Sequence, residues 1–332
     1  MNDNSCASKL FIVGLPRSGT KLLRTVINNH SQVAVARHET EFLPNWIERF
    51  ETVSSLESKQ EFDLFFEWCQ QFPYFQDRIR KGEAFTADQW YERCDSFDLA
   101  GVFTGLIKCD LQVDPAEESK VKIWGDKSPG YTRQVSNIMK AIPGARFIHI
   151  LRDPRDNALS VNQAWGKNMI RACSDWKKGV HYVDKVSSEH PNSILTVRYE
   201  DLLTHPEETV TRVCEFLGVD FSPEMLVMDR AVESIGETKG QTEIIAANQS
   251  KYLKKMKPGT IRKIESICGE LAEKHGYGIQ YEAGNRELGG WGLKWAKFCD
   301  AVNVVVSTVR RRGLIRGLRY SLSFRKMKSA RK

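Results

Sequence analysis

The chain has 332 residues, 41% of them hydrophobic and 27% charged, and a formal net charge of +7. That apolar content can bury a substantial core, in one large α/β domain or in one domain with an appendage. No segment approaches the roughly 20 apolar residues needed to cross a bilayer. The eight cysteines (6, 69, 94, 109, 173, 214, 268 and 299) form no CxxC pair and no Cys/His spacing suggestive of zinc. They read as reduced thiols of a cytosolic protein.

The first residues, MNDNSCASKLFIVGLPRSG, lack the charged head and long apolar stretch of a signal peptide, so a soluble, unexported protein is expected. Leu10 to Val13 is the first strand-like run, and Gly14 to Thr20 lies between it and a helix. A helix N-terminus offers unpaired N–H groups and partial positive charge, which draw anions. Arg17 adds a planar cation suited to an anion with several oxygens. A triphosphate loop, GxxxxGK[ST], has lysine directly after its second glycine and a metal-binding hydroxyl next. Here Thr20 precedes Lys21, so the magnesium position is lost.

VAVARHETEFLP follows, offering His38, Glu39 and Glu41 as proton acceptors. His38 and Glu39 begin like HExxH, but position 42 is Phe, so a zinc-protease reading fails. Residues 45 to 110 have helical spacing and many aromatics, among them Trp46, Phe62, Phe65, Trp68 and Trp90. They are expected to form a helical insertion beside a sheet, with the rings in its core rather than on a ligand.

The stretch 121 to 151 reads as a βαβ unit: strand Val121 to Trp124, a Ser128-Pro129 helix start, a helix carrying Val135, Ile138 and Met139, and strand Phe147 to Leu151. Gly125, Asp126 and Lys127 fall just after the first strand. Arg152 follows the second, with Asp153 as cap and Pro154 as first helical residue. A further strand, Ser193 to Val197, precedes Tyr199. Helices are predicted at Glu207 to Leu217 and Ile261 to His275, around a loop-rich stretch from 218 to 258. The alternation predicts a parallel sheet wrapped by helices. Ligands bind outside the carboxyl ends of such strands, so Arg17, Lys127 and Arg152, each at a strand end, are expected to converge on one anion.

The charge is uneven. Residues 291 to 332 hold 12 Lys or Arg against one acid, Asp300, while the first 290 hold 37 against 41 acids. In 301 to 328 apolar and basic residues alternate over several helical turns. That pattern fits an interfacial helix drawn to an anionic membrane surface, a dock for an acidic polymer, or a solvated tail. No motif of a nucleic-acid-binding fold accompanies it, and no nucleic acid is expected.

With these residues in view, FIVGLPRSGTKLL resembles the 5′-phosphosulfate loop of sulfotransferases that use 3′-phosphoadenosine-5′-phosphosulfate (PAPS). FIHILRDPRDNALS resembles their 3′-phosphate motif, an arginine followed eight residues later by serine. WGDKSP and VRYEDLLTHPEETVTRVCEFLGV fit the same pattern, and the likeness runs from about Leu10 to Gly278. The PRSGT loop is closer to tyrosylprotein and bacterial carbohydrate sulfotransferases than to cytosolic aryl sulfotransferases, whose loop begins with lysine.

The resemblance implies a P-loop-like sulfotransferase domain over 1–285, with 45–110 on the acceptor side and a basic extension over 286–332. It implies that Arg17, Ser18, Gly19, Thr20 and Lys21 hold the 5′-phosphosulfate and that Arg152 and Ser160 grip the 3′-phosphate. Tyr199 would lie on the 3′-phosphate side. Lys251, in SKYLKK, would return over the nucleotide, unless it is a surface lysine. Glu39 would be the base, with Glu41 or His38 as alternatives, and Lys127 and Arg17 would stabilise the transition state without a metal. The acceptor expected is a carbohydrate or glycolipid hydroxyl. The competing readings are a nucleoside-triphosphate kinase or NTPase and a non-catalytic, membrane-associated scaffold with a nucleotide fold. A cytoplasmic protein, peripheral to the membrane through its tail, is the expected setting.

Overall fold

The computed structural model describes residues 8–50, 52, 55–228, 240 and 242–313. The described chain divides into two compact units: one of residues from 1–151, 182–233 and 240–244, the other of residues from 152–181, 234–239 and 245–332.

The first unit holds a five-stranded parallel sheet of order β2-β3-β1-β4-β5. Its strands are β1 (Ser8–Val13), β2 (Val33–Val35), β3 (Ile123–Lys127), β4 (Arg146–Leu151) and β5 (Ile194–Arg198). Helix α1 (Thr20–Asn28) follows β1, and α2 (Leu43–Phe50), α3 (Lys59–Cys69), α4 (Pro73–Lys81), α5 (Ala87–Tyr91) and α6 (Leu99–Leu111) fill the predicted helical insertion. Helix α7 (Val135–Ala141) joins β3 to β4. Helix α8 (Pro154–Trp165) and the first part of α9 (Met169–Glu189) belong to the second unit. Helices α10 (Tyr199–Thr204) and α11 (Pro206–Leu217) return to the first, and α12 (Tyr252–Lys255), α13 (Pro258–Lys274) and α14 (Gly290–Arg312) to the second.

Strand side chains alternate between faces, so a sheet covered on both sides needs apolar residues at every position. β1 meets that demand: Leu10 and Ile12 enter one core cluster and Phe11 and Val13 the other, all fully buried. Phe11 stacks on Phe103 of α6 and Phe147 of β4, at 5.6 and 5.3 Å. The insertion's aromatics are core residues, as expected: Trp46 and Trp90 stack at 5.3 Å and both are fully buried. Truncating either to alanine should cost about 3–5 kcal/mol.

Two local expectations are corrected. Strand β3 begins at Ile123 and continues through Gly125, Asp126 and Lys127, past Trp124, where the apolar run predicts its end. Ser128 makes no side-chain cap, and Pro129–Arg133 is a 3-10 turn, so α7 starts only at Val135. Strand β2 was not foreseen, being three residues long within VAVARHET. Asp153 does cap α8, accepting from Arg155 N, with Pro154 in the first turn. The part of the basic tail beyond 313 lies outside the described residues.

Candidate active site

The loop Gly14 to Gly19 carries the chain from the carboxyl end of β1 into α1. Gly14 N donates to Thr132 Oγ1 at 3.0 Å, tying the loop to the turn after β3. Gly19 has φ 96°, a left-handed conformation open to glycine. A Cβ there would lie 2.3 Å from the Tyr199 ring, and one on Gly14 would lie 2.5 Å from the Ile150 carbonyl oxygen. Ser18 and Thr20 are buried, and Arg17 has φ 71°, a strained value of the kind that gathers at ligand loops. The first turn of α1 contains no acidic residue. A helix start without a side-chain cap, a loop whose glycines are fixed against Ile150 and Tyr199, and an adjacent Arg17 together form a cradle fitted to a phosphate or sulfate group.

Lys127, at the end of β3, is 1% exposed and donates from Nζ to Glu39 Oε1; Glu39 is 36% exposed. Burial pushes the Lys127 ammonium below its usual range, and Glu39 opposes that shift. A desolvated cation is thus paired with a carboxylate that still reaches solvent. Asp126, one residue earlier, is fully buried. It takes hydrogen bonds from Ser128 and from Thr40 Oγ1, the latter at 3.2 Å. Thr40 is also 2.6 Å from the Tyr131 hydroxyl, which accepts from Leu43 N at 3.0 Å. The loop carrying Glu39 is therefore fastened to β3 and to the turn after it. Burial pushes the Asp126 carboxyl up to about 7, with Ser128, Lys127 and Thr40 acting against it.

Asp110 of α6 holds the same loop from the other side. It accepts from Arg37 N at 2.6 Å, Tyr74 OH at 2.8 Å, His38 Nδ1 at 3.0 Å and Arg78 Nη1. Burial would raise this carboxyl, but His38, Arg78 and Tyr74 together hold it below its usual value. His38 is engaged through both ring nitrogens, since Nε2 lies 3.2 Å from Lys81 Nζ and 3.4 Å from Glu83. Glu41 has φ 53° and its carboxylate lies toward Gly130, where an added Cβ would be 3.5 Å from Oε1. Of the three acidic or basic candidates in this segment, Glu39 is the one paired with Lys127.

Arg24, on the second turn of α1, was not singled out in the sequence. Its guanidinium donates to the Arg37 carbonyl and lies within electrostatic reach of Glu39, Asp110, Asp126 and Arg37. Burial lowers its pKa, and the three carboxylates offset part of that shift. The available signal was its place four residues after Thr20, on the same helix face.

In the second unit, Arg152 is buried and its Nη2 donates to the Asn248 carbonyl at 3.2 Å, while Trp176 Nε1 donates to its carbonyl at 2.9 Å. Ser160 lies two turns along α8, partly exposed. Tyr252 N donates to Asp156 Oδ1 of α8 at 2.8 Å, so the segment carrying Lys251 is tied to Arg152 through Asn248 before that lysine and to α8 after it. Arg155 is consumed structurally, held by Asp153 and Glu265 with its guanidinium 4.2 Å from the Tyr252 ring centre. Tyr199, which the resemblance put on the 3′-phosphate side, is buried in the first unit with its ring against Gly19.

Among the described residues no group of three or more His, Cys, Asp or Glu could hold a metal ion, and no helix is long and apolar enough to cross a membrane. A cavity of about 810 Å³ opens at the amino-terminal end of the sheet, lined by Ser8, Lys9, Lys122 and Ile123 among others, and none of the predicted site residues borders it.

A profile described as the sulfotransferase family matches residues 9–223. The chain is 24% identical over 225 residues to protein-tyrosine sulfotransferase 2 of Gallus gallus, covering 65% of this chain and 53% of that protein. It is 24% identical over 234 residues to protein-tyrosine sulfotransferase 1 of Danio rerio, covering 68% and 58%. The chain thus spans little more than half the length of these relatives. Two solved structures share its fold: the sulfotransferase domain of the Synechococcus PCC 7002 olefin synthase and that of the curacin biosynthetic pathway. Their TM-scores are 0.53 and 0.51, with 21% and 20% identity. Each alignment covers 82% of this chain, and 96% and 99% of the two domains respectively.

Proposed function

The chain belongs to the sulfotransferase family, and from that premise we propose that it transfers the sulfuryl group of PAPS, in line, to an acceptor hydroxyl. The observation that carries this reading is the pairing of buried Lys127 with solvent-reaching Glu39, in the same unit as the Arg17 to Lys21 loop. Kinase chemistry loses its footing to the family match and to the order Thr20-Lys21.

Five residues, Arg17 to Lys21, bind the 5′-phosphosulfate through backbone N–H groups and two cations. Arg152 and Ser160 are assigned to the 3′-phosphate, which ATP lacks, and Lys251, the residue that precedes α12, to the nucleotide. Glu39 accepts the acceptor's hydroxyl proton as the new O–S bond forms. Lys127 and Arg17 neutralise the charge that develops on the bridging oxygen as the old S–O bond breaks, and the electron pair leaves with adenosine 3′,5′-bisphosphate. A sulfuryl group carries one negative charge where a terminal phosphoryl carries two, so lysine and arginine suffice for it. Positioning and preorganised electrostatics are the main sources of acceleration in such transfers. Arg24 adds a second cation within electrostatic reach of Glu39 and steadies its loop through the Arg37 carbonyl.

The acceptor we favour is a carbohydrate or glycolipid hydroxyl, on the likeness of the PRSGT loop to bacterial carbohydrate enzymes. A protein tyrosine is the second reading, supported by the names of the curated relatives. Incubation of the purified full chain with sulfur-labelled PAPS and matched panels of oligosaccharides, glycolipids and tyrosine peptides tests both. Label on a sugar supports the first reading, and label on tyrosine replaces it with the second. Label on nothing, across all panels, favours a non-catalytic scaffold.

A further inference from the structure

Helix α14 leaves one side open. Its inner side is fixed to the second unit: Ala296 and Asp300 are buried, Asp300 accepts from Asn168 N and pairs with Arg171 Nη1, both at 2.5 Å, and Asn303 Nδ2 donates to the Gly166 carbonyl at 2.8 Å. Away from these contacts lie Trp295, Phe298, Val302 and Val306, exposed by 67, 60, 45 and 42%. Their spacing of three, four and four residues puts them within roughly 80° of one another at about 100° per residue, one narrow stripe. Trp295 and Phe298 touch, with ring centres 5.8 Å apart.

The sequence from 291 onward carries charge of almost one sign. Asp300 is the only acid between 291 and 332, and it is turned inward onto Arg171. Lys294 and Lys297 are exposed on the same helix, and the sequence continues with ten further Lys or Arg from Arg310 onward. Exposed apolar residues scattered singly need no explanation, but large rings aligned on a helix face do. A protein partner with an apolar groove would satisfy the stripe but would give no reason for the run of basic residues in the sequence. An anionic bilayer answers both, accepting tryptophan and phenylalanine at the headgroup boundary and lysine and arginine at its charged surface.

We propose that α14 is an interfacial anchor that lays the Trp295, Phe298, Val302 and Val306 stripe onto an anionic lipid surface. The helix lies on the membrane and does not span it. Each lysine or arginine near such a surface strengthens partitioning roughly fivefold at low salt, and the apolar stripe adds a contribution that salt does not screen.

The test is flotation of the full chain with vesicles of phosphatidylcholine, with and without phosphatidylglycerol, comparing wild type with Trp295→Ser/Phe298→Ser. Both positions are exposed, so the variant should fold, and an unchanged melting temperature checks that it has. Wild type should float only with the anionic vesicles, and the variant should partition about tenfold less or weaker still. Flotation of the variant equal to wild type would overturn the proposal, as would flotation that does not depend on phosphatidylglycerol. A chain that stays in solution as a dimer, which the double substitution separates, would show a self-association face instead. Because no acceptor or PAPS is used, the outcome is independent of the sulfotransferase reading.

Discussion

Lys127 donates a hydrogen bond to Glu39 from a site that is 1% exposed, across 88 residues of sequence. A buried ammonium keeps its charge only if a partner repays part of the hydration it has lost. Glu39 supplies that partner while remaining open to an acceptor. The two roles are separable. Glu39→Gln should lower sulfuryl transfer by about 100- to 10,000-fold while leaving bisphosphate affinity close to wild type. Rate and titration measured on the same preparation check this, and surviving turnover would remove Glu39 as the base.

Lys127→Met replaces the cation with an apolar chain of similar length. Loss of one preorganised charge at a transferring group costs about 100- to 1,000-fold in turnover. Because the position is buried, the melting temperature should change little or rise. A large loss of stability with normal turnover would contradict the assignment.

Asp126 predicts a pH effect on stability. Its folded pKa is raised to about 7, against about 3.9 in an unfolded chain. Between those values the folded state holds the proton more tightly than the unfolded state. Stability therefore falls as pH rises from about 4 to 7, by an amount on the order of a few kcal/mol. Asp126→Asn still accepts from Thr40 and Ser128, and should flatten that fall. Denaturant melts at several pH values would show it, and parallel profiles for the two proteins would contradict it.

Gly19→Ala should damage the loop twice, through the left-handed φ of 96° and through the Tyr199 ring 2.3 Å from the new methyl carbon. A destabilisation of about 1–3 kcal/mol is expected from overpacking and strain, together with weaker bisphosphate binding. Thermal denaturation and calorimetric titration test the two effects separately.

Asp110→Ala would leave Arg78 buried without its carboxylate and free Arg37 N, His38 and Tyr74 at once. Breaking a buried pair on one side costs about 3–5 kcal/mol. The loop bearing Glu39 should loosen with it, so turnover should fall as well as stability.

Sequence pattern revealed the frame of this site better than its fastenings. Apolar runs followed by Gly14, by Gly125 to Lys127 and by Arg152 marked three neighbouring strands of a parallel sheet, and Asp153 with Pro154 announced a helix start, because these are local signals. Asp126 and Lys127 looked like loop charges, and only the neighbouring Ser128 together with Thr40 and Glu39, brought from elsewhere, explains how they can end a buried strand. Asp110 gave no signal, sitting in an apolar helix, and Arg24 gave only its position one turn after Thr20, among ordinary helix charges. Their importance arises from contacts made across 72 and 13 residues, to His38 and to the Arg37 carbonyl. The three residues of β2 were too few to show an alternation.

The central claim is that this chain binds a nucleotide bearing both 3′- and 5′-phosphates and uses it as sulfuryl donor. Calorimetric titration of the full chain with adenosine 3′,5′-bisphosphate tests it most directly. Saturable, magnesium-independent binding at micromolar ligand is expected, lost when adenosine 5′-monophosphate takes its place. No heat of binding at millimolar bisphosphate, or equal affinity for the monophosphate, would contradict it.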